Sequence, residues 1–135
     1  MIIDSSALVA TVFKEPGSDV LVDAVLNDTA PLMSAANALE AAIVVDARQD
    51  AVISRRLDEI RRQLGIAIAP VTAEHVDIAR RAYHDFGKGS GHPAQLNFGD
   101  CFAYALATEH GQPLLFVGDD FSETDIEPAL SSSDD

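Results

Sequence analysis

Four acidic residues stand where apolar packing should be: Asp4, Glu40, Asp100 and Asp119. Asp4 follows directly on Met1, Ile2 and Ile3, and Asp119 closes the apolar run that begins at Leu114. Glu40 interrupts a stripe of Ala36, Leu39, Ile43, Val44 and Ala47, spaced by three and four and expected to face the core. Asp100 falls in the first turn of an apolar segment, beside Ala103 and Tyr104. An unpaired carboxylate in such surroundings costs several kcal/mol, so each must be paired, protonated or bound to a cation. Taken singly, each has an ordinary explanation. Asp4 can cap a helix, Asp119 and Asp120 can form a turn, and Asp100 gains about 0.3–1 kcal/mol from a helix dipole. Taken together, two acids end strands and two start or line helices that should pack near those ends. That is the distribution expected of groups converging on one crevice.

Carboxylates held close repel unless positive charge lies between them, and hard divalent cations such as Mg²⁺ or Mn²⁺ prefer oxygen ligands. Asp4 and Asp100 are the first-choice direct ligands. Glu40 and Asp119 would complete the cage, hold a second ion or orient a water, and Asp120 could replace its neighbour after a small shift of the turn. An ion so held suits phosphodiester hydrolysis by an activated water. The histidines His75, His84, His92 and His110 show no zinc-site spacing and are read as surface residues. The lone Cys101, near Phe98, Phe102 and Ala105, reads as a small apolar filler.

The elements that must position these acids alternate along the chain. Residues 1–4 suit a strand, and Ser5 and Ser6 offer caps to a helix over 7–13. A second helix centres on Val20 to Val25, after Pro16 and Gly17. Residues 31–34 suit a buried strand, and Asn37 is the expected cap of a helix through Leu39 to Arg48. The charged and apolar alternation over 51–64 predicts an exposed amphipathic helix, carrying Arg55, Arg56, Arg61 and Arg62. A strand over 66–71, a helix opened by Thr72, a glycine-rich loop over 87–91, a helix over 98–107 capped by Asn97, and a strand over 114–117 complete the order. Short apolar strands alternating with helices imply an α/β sandwich: a central, mostly parallel sheet flanked by helices. Its binding crevice should lie at the carboxyl ends of the strands, where Asp4 and Asp119 fall.

With 135 residues, 47% of them hydrophobic, a single domain over 1–130 is expected, with 131–135 as a disordered acidic tail. No apolar run approaches the roughly 20 residues of a membrane span, and the N-terminus does not read as a secretory signal, so cytoplasmic residence is expected. A net charge of −13 excludes a protein that holds nucleic acid by a broad basic surface. All nine Lys and Arg lie between Lys14 and Lys88, and nine acids follow without a cation. Any RNA contact must therefore be local.

Several of these segments resemble a PIN-domain ribonuclease of the VapC toxin type. They are Met1-Ile2-Ile3-Asp4-Ser5-Ser6-Ala7-Leu8-Val9-Ala10, then Met33-Ser34-Ala35 leading to Leu39-Glu40-Ala41-Ala42, then Leu96-Asn97-Phe98-Gly99-Asp100 through Ala107. Pro113 through Phe121 and Thr124-Asp125-Ile126 close the series. The resemblance spans nearly the whole chain. It implies the PIN-like three-layer sandwich and Mg²⁺-dependent endoribonuclease activity on structured RNA such as tRNA or ribosomal RNA, with Asp4, Glu40, Asp100 and Asp119 as the acids. It also implies a homodimer and a VapB-type antitoxin that places a basic side chain among those acids, which an acidic toxin suits. The loop from Gly87 to Pro93 resembles the family's Gly-Lys-Gly-Arg-His-Pro segment, lacks its Arg and is one residue longer. Lys88 remains as a candidate RNA-backbone contact.

Two other readings compete with this one. A phospho-accepting receiver domain also binds Mg²⁺ at strand ends, but expects paired acids after the first strand and a Lys after the last; here Asp4 is followed by serines and Gly118 by Asp119. A catalytically silent PIN-fold binding module would have no need of all four acids.

Overall fold

The computed structural model, which describes residues 1–130, has strands of only two or three residues; Ile2, Ile3, Leu114 and Leu115 are buried, whereas Ala67 and Ile68 of an edge strand are exposed. The order is β1 (Ile2–Ile3), α1 (Ser5–Val12), α2 (Ser18–Leu26), β2 (Leu32–Ser34), α3 (Ala35–Asp46), α4 (Ala51–Gln63), β3 (Ala67–Ala69), α5 (Ala73–Phe86), α6 (Phe98–His110) and β4 (Leu114–Leu115). The tail over 131–135 lies outside the described residues.

All pairings are parallel, in the order β3-β2-β1-β4. Successive strand residues face opposite sides, and so build two cores. Ile2 and Leu114 pack with Ile78 of α5 and Leu96, Ala103 and Leu106 at α6. Ile3 and Leu115 pack with Leu8, Met33, Val45 and Leu57 beneath α1, α3 and α4. This is the expected three-layer sandwich. From β1 the chain winds through β2 to β3 on one side, then crosses over α5 and α6 to place β4 on the other side of β1. The direction of winding therefore reverses between β1 and β4, where α/β sheets open a crevice at their carboxyl ends.

Three expectations are corrected. Helix α3 starts earlier than Asn37: Ser34 is its cap, accepting from the Ala36 amide at 3.3 Å, and Asn37 lies inside the helix, fully buried. The buried face of α3 is Asn37, Ala41 and Val45, while Leu39, Ile43 and Val44 are 62%, 61% and 44% exposed. Small side chains let α3 approach its neighbours closely, so the bulky stripe is turned outward. His75 is not a surface residue. It is buried, forms a reciprocal cap with Thr72 at the start of α5, and its Nε2 stands 2.9 Å from a Glu109 carboxylate oxygen on α6. Cys101 is a buried free thiol, as a filler should be.

Candidate active site

Asp4 emerges from β1 in extended conformation and caps α1. Its Oδ2 accepts from the Ser6 amide at 3.0 Å and from the Ser6 hydroxyl at 2.6 Å. The same hydroxyl oxygen accepts from the Val117 amide at 2.9 Å, tying the end of β1 to the chain leaving β4. The other oxygen, Oδ1, is buried with no hydrogen-bond partner. Burial pushes the Asp4 carboxyl up to about 6; the bonds from Ser6 oppose this and the charge of Glu40 adds to it.

Glu40 reaches this point from α3. Its Oε1 accepts from the Ser5 hydroxyl and, at 3.3 Å, from the Asn37 side-chain amide. Asn37 Nδ2 also donates to the Gly99 carbonyl at 2.9 Å, so one buried amide joins α3, α6 and the Glu40 carboxylate. The carboxylate lies flat against Gly99, where any β-carbon would collide with it.

Asp100 stands in the first turn of α6, held by a reciprocal cap. The Asn97 amide donates to Asp100 Oδ2 at 3.0 Å, and the Asp100 amide donates to Asn97 Oδ1 at 2.9 Å. Burial pushes its carboxyl up to about 7, against the bond from Asn97 and with help from the charges of Asp4 and Asp120. The fourth acid near the cluster is Asp120, whose charge helps to raise the Asp100 carboxyl, although it is exposed. Asp119 is exposed and lines a separate hollow with Gly17, Val20 and Phe116.

The cluster is made of hard oxygen donors only, and a buried Asp4 oxygen has no protein partner. Both properties fit a hard divalent cation. Among the described residues, no three His, Cys, Asp or Glu side chains are drawn tightly enough together to enclose an ion by themselves. Mg²⁺ needs no such cage, since it retains several waters and takes one or two carboxylates.

Lys88 is exposed on the glycine loop, whose ends are fastened by the Lys88 amide to the Leu96 carbonyl and the Leu96 amide to the Phe86 carbonyl, each at 2.8 Å. Of the arginines on α4, Arg56 is occupied in donating to the Val12 carbonyl at the end of α1 at 3.1 Å. Ser5, Ser6, Asn37 and Gly99 were not anticipated as parts of the cluster. Only the adjacency of Ser5 and Ser6 to Asp4 and of Gly99 to Asp100 hinted at them.

Comparison with known proteins agrees with this architecture. The PIN domain family model matches residues 1–127. The chain is 47% identical over 130 residues to ribonuclease VapC28 of Mycobacterium tuberculosis, covering 96% of this chain and 98% of that one. It is 47% identical over 126 residues to ribonuclease VapC of Mycolicibacterium smegmatis, covering 93% and 97% respectively. The crystal structure of Mycobacterium tuberculosis VapC20, described as a sarcin-ricin loop cleaving toxin, matches with a TM-score of 0.71 at 15% identity, over 93% of this chain and 95% of that one, a likeness of fold. The chain belongs to the PIN domain family, in its VapC-type branch. No helix among the described residues is long and apolar enough to cross a membrane.

Proposed function

We propose that this chain is a Mg²⁺-dependent endoribonuclease, with Mn²⁺ as a substitute ion, and the toxin of a VapBC-type toxin–antitoxin pair. The observation that carries the reading is the meeting of Asp4, Glu40, Asp100 and Asp120 at the β1–β4 crevice, around an Asp4 oxygen that no protein group satisfies. Kinship with VapC ribonucleases at 47% identity supports RNA as the substrate. Structured RNA such as tRNA or ribosomal RNA is the substrate class.

Asp4 and Asp100 would hold the ion, with Asp120 beside Asp100. When bound, the ion supplies polarisation of the scissile phosphate and of a water nucleophile and offsets charge on the leaving oxygen. The chain's own part is positional. Ser6 fixes one Asp4 oxygen and leaves the other, buried, without a protein partner. Asn97 fixes Asp100. Ser5 and Asn37 hold one Glu40 oxygen, and the carboxylate so held orients the attacking water. Asp119 is exposed and lines the hollow beside Gly17, and the fourth place falls to Asp120 in its stead. Lys88 contacts the RNA backbone.

A VapB-type antitoxin would silence the site by placing an Arg or Lys among the carboxylates, relieving the same repulsion that the ion relieves. The toxin acts as a homodimer in the cytoplasm. Inducible expression of the wild type beside Asp4→Ala tests the reading. Wild type is expected to arrest growth and generate discrete RNA 5′ ends, while the variant does neither. Equal arrest by both, or arrest with no new ends, would refute it. A titration in which Mg²⁺ and Mn²⁺ fail to bind would make the chain a silent module instead.

A further inference from the structure

Tyr104 follows Asp100 by four residues on α6, so the two side chains leave the same face of the helix, one turn apart. The tyrosine ring is buried. It packs on Phe86 of α5, with centroids 5.9 Å apart, in the core that also holds Phe121. Its hydroxyl donates to Asp125 Oδ1 at 2.6 Å. Asp125 is exposed and lies five residues beyond Asp120, on the segment that follows β4. Within that segment the Ser122 amide donates to the Asp119 carbonyl at 3.1 Å. The Thr124 amide and hydroxyl both donate to the Phe121 carbonyl, at 3.1 and 2.8 Å. Asp120 is thus carried on a bonded series of turns with two moorings: the buried ring of Phe121 directly after it, and the Asp125 carboxylate.

Helix α6 therefore acts on this segment twice, with opposite sign. At Asp100 the like charge of Asp120 pushes the segment away. One turn later the phenol holds it by a charge-assisted bond, roughly twice as strong as a neutral one. We propose that Tyr104 is a positioning residue for the metal site, its bond to Asp125 holding Asp120 beside Asp100; this rests on the proposed Mg²⁺-dependent activity. A buried tyrosine needs some partner for its hydroxyl, and at the border with solvent a water would serve. A carboxylate from the acid-bearing segment does what a water cannot, because it fastens that segment to the helix bearing Asp100. Without the clamp, the segment would relieve the repulsion by moving off, and an arriving ion would have to order it again. Ordering it beforehand raises affinity for the ion.

Tyr104→Phe removes the hydroxyl and keeps the ring, and Asp125→Ala removes the acceptor from an exposed position, so both variants should melt close to wild type. Calorimetric titration of the metal-free proteins with Mg²⁺ is expected to show affinity weakened in each by up to about tenfold, as where a residue supporting a metal ligand is lost. In an Asp120→Asn background, Tyr104→Phe is expected to weaken Mg²⁺ no further, since the charge it positions is gone. Undiminished Mg²⁺ affinity in both variants, beside a wild type that binds the ion and cuts RNA, would overturn the clamp and leave the ribonuclease reading standing. An equal loss in the Asp120→Asn background would also overturn it, assigning Tyr104 to the packing of the core. A wild type that neither bound Mg²⁺ nor cut RNA would remove both.

Discussion

The carboxylate of Glu40 rests on the bare backbone of Gly99, so closely that a β-carbon at Gly99 would stand 2.6 Å from the carboxyl carbon and 2.8 Å from Oε1. The colliding group is the end of a flexible side chain, so Gly99→Ala should fold by pushing Glu40 aside. Displacement of about an ångström at a reacting centre can cost about 100-fold in rate. Gly99→Ala is expected to lower kcat on a labelled RNA by up to that order while its melting temperature stays close to wild type. Wild-type kcat would show that the position of Glu40 is immaterial.

Asn37 makes a different prediction because it is fully buried and donates to both the Gly99 carbonyl and Glu40. Removing the donor leaves partly buried acceptors unsatisfied, at up to about 1–3 kcal/mol. Asn37→Ala should therefore lose both stability, read by urea unfolding, and kcat. Asn37→Ala combined with Gly99→Ala should cost less kcat than the two effects multiplied, since both act through Glu40.

How far the sequence foretold this arrangement depended on whether a local rule was unambiguous. Helix α6 was legible at its start, because Asn97 is a strong boundary residue and performs the expected capping, whereas the helix runs past the expected end at 107 to His110, where Gly111 closes it. Asp4 and Asp100 were conspicuous as acids flanked by apolar residues. Helix α3 was misread because it is apolar nearly all round: two stripes have helical spacing, and periodicity cannot say which one meets the sheet. The role of Asn37 was hidden by the same error, since an asparagine near a helix start is ordinarily a cap. Asp119 and Asp120 could not be told apart because Gly118, at φ +98°, turns the chain in a way only backbone geometry reveals.

That turn separates two adjacent acids, with the charge of Asp120 acting on Asp100 and Asp119 lining the hollow beside Gly17. Asp120→Asn is expected to weaken Mg²⁺ binding, measured by calorimetry, and to reduce cleavage at limiting Mg²⁺ by about tenfold, the loss of roughly 1.4 kcal/mol of charge interaction. Asp119→Asn should alter both by less than twofold. The reverse order of effects would assign Asp119 to the cluster.

The metal-free chain should carry the electrostatic cost of this cluster in its pH dependence. Both carboxyls start from an ordinary value of 3.8; burial raises Asp4 to about 6, and burial together with neighbouring charge raises Asp100 to about 7. Between these values the folded chain holds protons that the unfolded chain has already lost. The stability these groups contribute is thus complete below 3.8 and is lost as pH rises through about 6 and then about 7. Compared with Asp100→Asn, which cannot ionise there, metal-free wild type should lose more melting temperature between about pH 5 and about pH 8. Saturating Mg²⁺ should close that gap from the alkaline side, where both ligands are ionised, by about 2.7 kcal/mol at a hundredfold excess over Kd. Differential scanning fluorimetry of the two proteins with EDTA and with Mg²⁺ measures each slope, and parallel slopes without metal would mean that Asp100 ionises freely in the folded state.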